Sequence, residues 1–387
     1  MSARPPTFRR TDQMAMIRRT PYYHKHAALG AEFVDRIGFA AALHFGSIEA
    51  EHIAARENVG LFDVYSQYFL EVTGPDALNV MQKLCVNDIG RVGPSGVVYT
   101  SLCNAEGGMI DDLLVYRMAD DTFRVCPTPS RFVSVEAWIR EVAGELRVEV
   151  INYGARFAYM SVQGPKSRAL LSRLTDADLS ASKVKYFRFV MGDLAGVPDV
   201  MISRTGYSGE LGYELFYPSE YAEHLWDRLI EDGADLGVKP CGLGSLATLR
   251  MEKKFPLYGL DLSTGNTPVE AGLEWTVRLD KPDFIGRHVI ARQMEQGPPR
   301  RLMLVETADL DVPLEVGADI TVDGRKAGTV TSVAKGFTVR KALAQGYVIS
   351  ELANDGQQVV VEAKAGASKA VLRSEALYDP NRTRARS

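Results

Sequence analysis

Short apolar runs typical of strands alternate with segments of helical spacing through the first two-thirds of the chain. Residues 70–84 give the clearest unit, which is a strand, a Gly-Pro turn at 74–75 and a helix over 76–84. The same order returns at 160–174. This repetition predicts a duplicated α+β arrangement with antiparallel sheets.

The texture changes after about Arg300, where short β-like runs are separated by Gly and Asp turns. Such runs predict an all-β C-terminal domain, a small barrel or sandwich, and the Gly-Pro-Pro segment before it is the predicted linker. The predicted boundaries are 1–19 for an N-terminal arm, 20–295 for two α+β domains, 300–380 for the β domain and 381–387 for a tail.

Two adjacent aspartates interrupt the apolar run that follows Gly107-Gly108. On a strand, Asp111 and Asp112 point to opposite faces, so they cannot act as a facing acid–base pair. At least one of them enters an apolar interior, which is costly unless the carboxylate is paired or hydrogen-bonded. A carboxylate held in this way is a functional candidate, although capping of a turn explains the same pattern.

Composition limits the classes of function. The 387 residues carry a formal net charge of −4, so no basic surface for nucleic acid or anionic membrane is indicated. No apolar run has the length of a membrane span. The four cysteines are scattered, which fits a reducing, cytoplasmic location, and neither they nor the histidines have the spacing of a metal site.

A glycine-rich segment at 204–215 supplies a second carboxylate, because Glu214 stands in a predicted strand between Tyr213 and Leu215. Taken alone, this segment favours a glycine-rich turn with a solvent-facing Glu. Its serine is not a nucleophile elbow, since Glu210 stands where the second glycine is required. The Gly-x-Gly-x-x-Ala match at 242–247 lacks a preceding apolar strand, which argues against a dinucleotide site.

Taken together, the chain from Thr20 to about Pro380 resembles the aminomethyltransferase (T-protein) family of the glycine cleavage system and its folate-dependent relatives. The matching segments are 20–23, 30–35, 60–64, Tyr99, 104–115, 163–165, 205–214, 249–252, 257–259, 267–269, Trp275, 284–286 and 328–332. The resemblance implies a three-domain ring, two α+β domains plus a C-terminal barrel-like domain, around a central tetrahydrofolate site.

The resemblance also implies roles for single residues. Asp111 is expected to be the catalytic carboxylate beside the reacting folate nitrogen, and Glu214 to grip the pterin. Tyr99, Tyr207 and Trp275 are expected to line the folate. A carboxylate suits a pterin edge, because it accepts the ring N–H and the neighbouring amino group together.

The chain departs from the T-protein pattern at several positions. Ser245, Leu246 and Ala247 replace Ala-Arg-Asp, Tyr65 begins the segment that replaces Ser-His-Met, and Thr128 replaces an Asn. These departures favour a tetrahydrofolate-dependent methyltransferase acting as a demethylase, with a small methylated donor: an aryl methyl ether, or a sulfonium or methylamine compound. Tyr65 is then a catalytic candidate, as an acid for the leaving group.

Two alternatives remain open. A glycine cleavage aminomethyltransferase would use a lipoyl carrier protein as its partner and form methylene-tetrahydrofolate. A folate-binding protein without transfer chemistry is the second, although the chain lacks the Lys-Gly-Cys signature of the iron–sulfur assembly relatives.

Overall fold

The computed structural model describes residues 17–64 and 68–387, a mixture of helices and β-sheets. The helices are α1 Tyr23–Ala28, α2 Ile48–Glu57, α3 Ala77–Leu84, α4 Phe132–Ala143, α5 Ser167–Leu171, α6 Ala222–Asp232, α7 Leu243–Glu252, α8 Arg287–Gln296 and α9 Thr383–Arg386. The strands are β1 Arg18–Arg19, β2 Glu32–Arg36, β3 Phe39–His44, β4 Val59–Phe62, β5 Leu70–Thr73, β6 Val97–Cys103, β7 Met109–Ala119, β8 Thr122–Cys126, β9 Glu149–Asn152, β10 Phe157–Gln163, β11 Phe189–Leu194, β12 Val197–Ser203, β13 Gly212–Pro218, β14 Val238–Cys241, β15 Arg300–Thr307, β16 Asp319–Val322, β17 Arg325–Gly336, β18 Lys341–Ile349, β19 Gln358–Ala363 and β20 Gly366–Arg373.

Two sheets carry the first part of the molecule. The strand order β6-β7-β8-β5-β9 forms sheet I, and α3 and α4 cover one of its faces. The order β11-β12-β13-β10-β4-β14 forms sheet II, with α5 and α6 packed on one of its faces. Sheet I is inserted into sheet II, because β4 precedes all of its strands and β10 follows them. Each sheet contains one of the two predicted strand–turn–helix units.

The faces of the two sheets that carry no helix pack against each other through aromatic side chains. Phe69 and Tyr116 of the sheet I side meet Tyr159 and Phe216 of sheet II in one buried cluster. The rings of Phe69 and Phe216 lie 4.4 Å apart at their centroids. Because side chains alternate along a strand, each sheet has one face for its helices and one for the other sheet.

The C-terminal strands close into a β-barrel in the order β15-β18-β17-β16-β19-β20. Met251 of α7 packs on this barrel against Leu304 and Leu343. The predicted α+β fold of three domains with a C-terminal barrel is confirmed.

Local differences from the predicted elements have physical reasons. The helix predicted over 76–84 begins at Ala77, and Asp76 turns to Arg147, whose backbone N and Nε donate to Asp76 Oδ2 at 3.0 and 3.1 Å. The predicted tail at 381–387 contains the short helix α9, and the buried Arg204 donates to the carbonyls of Ala385 and Ser387. Within residues 17–64 and 68–387, no helix is long and apolar enough to cross a membrane.

Candidate active site

The hairpin of β6 and β7 separates the two adjacent aspartates. Tyr99 pairs with Leu114 and Ser101 with Asp112, so Tyr99 and Asp112 share the face of sheet I that is turned toward sheet II. Tyr99 Oη donates to Asp112 Oδ2 at 2.7 Å. Asp112 therefore lies at the sheet junction with its orientation fixed by a phenol.

Asp111 points the other way. Its cross-strand partner is Leu102, which belongs to the core under α3 and α4, and its side chain is fully buried. Asp111 Oδ2 accepts the backbone N–H of Thr128 at 2.8 Å, while Oδ1 has no hydrogen-bond partner among the described residues. Burial, and then repulsion by Asp112, raise the pKa of Asp111 well above its ordinary value, and the Thr128 bonds offset this only in part.

Asp112 is less buried than Asp111. Burial raises its pKa to about 6, and the charge of Asp261 acts in the same direction, while the hydrogen bond from Tyr99 lowers it. Asp112 is partly exposed. A carboxylate with a pKa of about 6 is largely ionised at neutral pH and still able to take up a proton.

Glu214 lies in β13 on the face of sheet II that is turned toward sheet I, the same face as Phe216. Its Oε1 accepts from Tyr159 Oη at 2.6 Å, and its Oε2 accepts from Thr205 Oγ1. Burial raises the pKa of Glu214, although both hydrogen bonds lower it. Glu214 also raises the pKa of Tyr116, which shares the inward face of β7 with Asp112, so the two carboxylates belong to one junction.

Two predicted aromatic residues extend the site. Tyr207 Oη donates to the carbonyl of Pro256 at 2.5 Å, and its ring stacks on Phe255 at 5.7 Å. Asp112 is close enough to contribute to the raised pKa of Tyr207. Trp275 stacks on Tyr99 with ring centroids 5.8 Å apart and is 41% exposed, so it forms an outer edge of the site.

The structure thus brings Tyr99, Tyr207, Trp275 and Glu214 around the face that carries Asp112, and it directs Asp111 toward the helices. The assignment of roles to these residues stays a prediction. Tyr65 lies outside the described residues. In the part of the chain that is described, no group of three His, Cys, Asp or Glu side chains could hold a metal ion.

Sequence reasoning missed the residues that orient the carboxylates. Tyr159 and Thr205 fix Glu214, and Asp261 acts on Asp112 from more than a hundred residues away in the chain. The alternation of β10 could have indicated that Tyr159 lies on the inward face, since Ser161 and Glu214 pair directly. Nothing in the local sequence marks Thr205 or Asp261.

An inward carboxylate on each of two facing sheets can perform a defined chemical task. Glu214, clamped by two hydroxyls, can receive a pair of N–H donors from a heterocycle. Asp112 can exchange a proton at the reacting end. The aromatic side chains Tyr99, Tyr207 and Trp275 offer ring faces to a flat ligand.

Comparisons with known proteins agree along nearly the whole chain. The GCVT N-terminal domain family matches residues 22–281, and the glycine cleavage T-protein C-terminal barrel domain matches residues 300–379. The aminomethyltransferase of Halalkalibacterium halodurans is 38% identical over 352 residues, 91% of this chain and 95% of that protein. The aminomethyltransferase of Caldanaerobacter subterraneus is 37% identical over 370 residues, 96% of this chain and 98% of that protein.

A solved structure gives the same result for the fold. The glycine cleavage system aminomethyltransferase T from Bartonella henselae matches with a TM-score of 0.86 at 25% identity. The match covers 94% of this chain and 99% of that one.

These findings correct one prediction. The prediction of a demethylase with a small methylated donor is wrong, because the relatives that match most of this chain are named aminomethyltransferases. The substitutions at 65–67, 128 and 245–247 therefore occur in a chain whose relatives are aminomethyltransferases, and they no longer support a different donor. Tetrahydrofolate-dependent one-carbon transfer is confirmed as the chemistry of the family, and the chain belongs to the glycine cleavage T-protein family of aminomethyltransferases.

Proposed function

We propose that this protein is an aminomethyltransferase that acts on a lipoyl carrier protein. The carrier's sulfur holds an aminomethyl group, and tetrahydrofolate receives its carbon. The carbon forms bonds to N5 and N10 of the folate, while its bonds to sulfur and to the amino nitrogen break. The two protons lost by the folate nitrogens leave with the thiol and with ammonia, so the products are methylene-tetrahydrofolate, the dihydrolipoyl carrier and ammonia.

The observation that carries this proposal is the junction of the two sheets, with one inward carboxylate on each. Glu214 is proposed to hold the pterin edge, since Tyr159 and Thr205 restrain its carboxylate and leave lone pairs for two further donors. Fixing one end of the substrate orients its reacting nitrogen, and orientation supplies a large part of the rate.

Asp112 is proposed to receive the proton that the attacking nitrogen releases. Its pKa of about 6 and its hydrogen bond from Tyr99 support this role. Asp111, the catalytic residue predicted from the sequence, is proposed instead as a support, because it is fully buried and bonded to the backbone of Thr128.

The predicted cytoplasmic location stays part of this proposal, and the four buried cysteines form no disulfide, as suits a reducing compartment.

The deciding experiment supplies the purified protein with tetrahydrofolate and a lipoyl carrier protein loaded with the aminomethyl group. Methylene-tetrahydrofolate and ammonia are expected in equal amounts. Unloaded carrier is the matched control and should give neither. If the protein binds tetrahydrofolate but forms no methylene-tetrahydrofolate from a carrier that a known aminomethyltransferase can unload, the proposal is wrong.

A further inference from the structure

A buried guanidinium lies beneath the loop that carries Tyr207. Arg56, in the last turn of α2, is only 4% exposed. Its Nη1 donates to the carbonyl of Ser208 at 2.8 Å and to Glu210 Oε1 at 3.0 Å. Its Nη2 donates to the carbonyl of Leu249 at 3.3 Å and to Glu252 Oε2 at 2.9 Å. One side chain thus joins the loop at 205–212 to the last turn of α7.

The partners of Arg56 are themselves held. Tyr378 lies with its ring 3.8 Å from the guanidinium carbon and donates its hydroxyl to Glu210 Oε1 at 2.6 Å. Glu252 Oε1 accepts the backbone N–H groups of Thr338 and Val339 in the barrel at 2.8 and 3.2 Å. The forked geometry of arginine, with donors in one plane, suits this fixed set of acceptors in a way that lysine cannot match.

The loop needs such an anchor because its own sequence is permissive. Gly206 and Gly209 flank Tyr207 and Ser208, and Gly209 has φ +84°, in the left-handed region. The ring of Tyr207 is held at its hydroxyl and by Phe255, and Arg56 fixes the backbone one residue further on. Movement of the Ser208 carbonyl would therefore move the Tyr207 ring.

Stability alone is a weak explanation for this network. Burying two carboxylates and one guanidinium requires a desolvation free energy that an apolar cluster of the same size would avoid. We propose that Arg56 is a positioning residue, which holds Tyr207 in place against the bound folate. This inference rests on the proposed function, because it needs the folate to bind at the face that Tyr207 lines.

The test is a double-mutant cycle read by direct binding of tetrahydrofolate. Arg56→Lys keeps the positive charge and loses the planar set of N–H donors of the guanidinium. We expect the Kd for tetrahydrofolate to rise about tenfold, as for the loss of one hydrogen bond to a charged group. Arg117→Lys is the matched control, since Arg117 is also buried and donates to Val92 and Ala119 carbonyls on the far side of sheet I. Its Kd should change less than about twofold.

The second arm asks whether Arg56 acts through Tyr207. In a Tyr207→Ala background, Arg56→Lys is expected to raise the Kd by no more than about twofold further, because coupled positions are not additive. An equal effect in both backgrounds would overturn the inference, and so would equal losses for Arg56→Lys and Arg117→Lys. If Arg56→Lys fails to fold, Tyr378→Phe supplies the same test with a smaller rise, because it removes one of the two hydrogen bonds to Glu210 and keeps a ring over the guanidinium. A wild-type protein that binds no tetrahydrofolate would count against the proposed function instead.

Discussion

Adjacent residues of one strand meet different physical conditions, and the two aspartates of β7 can be separated by matched substitutions. Asp112→Asn is expected to lower the transfer rate by about a hundredfold or more, because the partly exposed carboxylate beside Tyr99 is lost. Asp111→Asn should keep most of the activity, since burial raises the pKa of Asp111 well above its ordinary value and so favours the neutral carboxyl, which an amide resembles. Steady-state rates with loaded carrier measure both. The reverse result would return the catalytic role to Asp111, as the sequence predicted.

The difference between these residues also shows what a sequence can resolve. Strand alternation correctly separates Asp111 from Asp112 and brings Asp112 together with Leu114. Alternation does not say which face meets the other sheet and which meets helices, because Leu113 and Leu114 are equally apolar. That choice depends on α3, α4 and sheet II, whose side chains are distant in the chain.

Asp63 offers a residue-scale test through the pH dependence of stability. Burial raises the pKa of Asp63 to about 7, against a hydrogen bond from Thr20 that lowers it. The folded protein therefore holds a proton that the unfolded chain loses, so this group costs stability as pH rises from about 4 to 7. Asp63→Asn removes that cost. Its melting temperature relative to wild type is expected to increase over this interval and to level off above pH 7.

The neighbouring His26 is the other titratable group that could set the pH dependence of Asp63→Asn. Its Nδ1 lies 3.8 Å from Asp63 Oδ2, and burial lowers its pKa to about 4, so it is neutral through most of the same interval. If the melting temperature of Asp63→Asn instead fell furthest below that of wild type near pH 7, the result would indicate an ion pair between Asp63 and His26. Asp227→Asn serves as the control, because it removes the exposed ion-pair partner of Lys25, the neighbour of His26 in α1, and it should not show this rise.

At the scale of elements, the turn before β7 depends on one glycine. A Cβ on Gly108 would stand 2.0 Å from the carbonyl oxygen of Thr264. The turn cannot shift easily, since Gly108 N donates to Asn104 Oδ1 at 2.7 Å and Met109 N donates to the carbonyl of Asn266 at 3.0 Å. Gly108→Ala is expected to destabilise the protein by about 3 kcal/mol, in the manner of an overpacked core.

Thermal unfolding measures this loss, and Gly93 provides the comparison. A Cβ at Gly93 would meet nothing within 4 Å, so Gly93→Ala should leave the melting temperature nearly unchanged. Equal melting temperatures for the two variants would mean that the close approach to Thr264 does not restrain the turn.

Elements with a clear hydrophobic periodicity were predictable from the sequence, and elements without one were not. The predicted helix over 76–84 agrees with α3, and the β-like runs predicted after Arg300 agree with the barrel, because helical spacing and glycine turns mark them locally. The small sheet of β1, β2 and β3 was missed, since its residues 18–44 mix His, Tyr and small side chains without clear alternation. Its pairing is fixed by tertiary contacts such as Arg18 over the Phe39 ring.

At the scale of the whole molecule, no local pattern could show that sheet I is inserted into sheet II. Strands β4 and β10 pair although the whole of sheet I separates them in the chain, and the site exists only where those two sheets face each other. The resemblance to a known family supplied the ring arrangement that local patterns could not.

The buried carboxylate of Asp261 links the barrel to the environment of Asp112. Asp261 Oδ1 accepts from the hydroxyls of Thr331 and Ser332 in β17 at 2.5 and 2.7 Å. Its Oδ2 accepts from Arg250 Nη1 at 2.9 Å and from the backbone N of Leu257 at 3.0 Å. The same charge raises the pKa of Asp112. A change at Asp261 should therefore appear both in the barrel and in the chemistry.

Asp261→Asn is expected to speed hydrogen exchange in β17 and in residues 255–262. An amide has one oxygen acceptor and one N–H donor group, so either Arg250 or the two hydroxyls loses its acceptor. Removal of a nearby negative charge lowers the pKa of Asp112 from about 6. The acid limb of the pH–rate profile should therefore move to lower pH. Asp319→Asn, which breaks an exposed pair with Lys326 elsewhere in the barrel, should do neither. Faster exchange with an unchanged acid limb would show that the barrel docks through Asp261 without setting the proton affinity of the site.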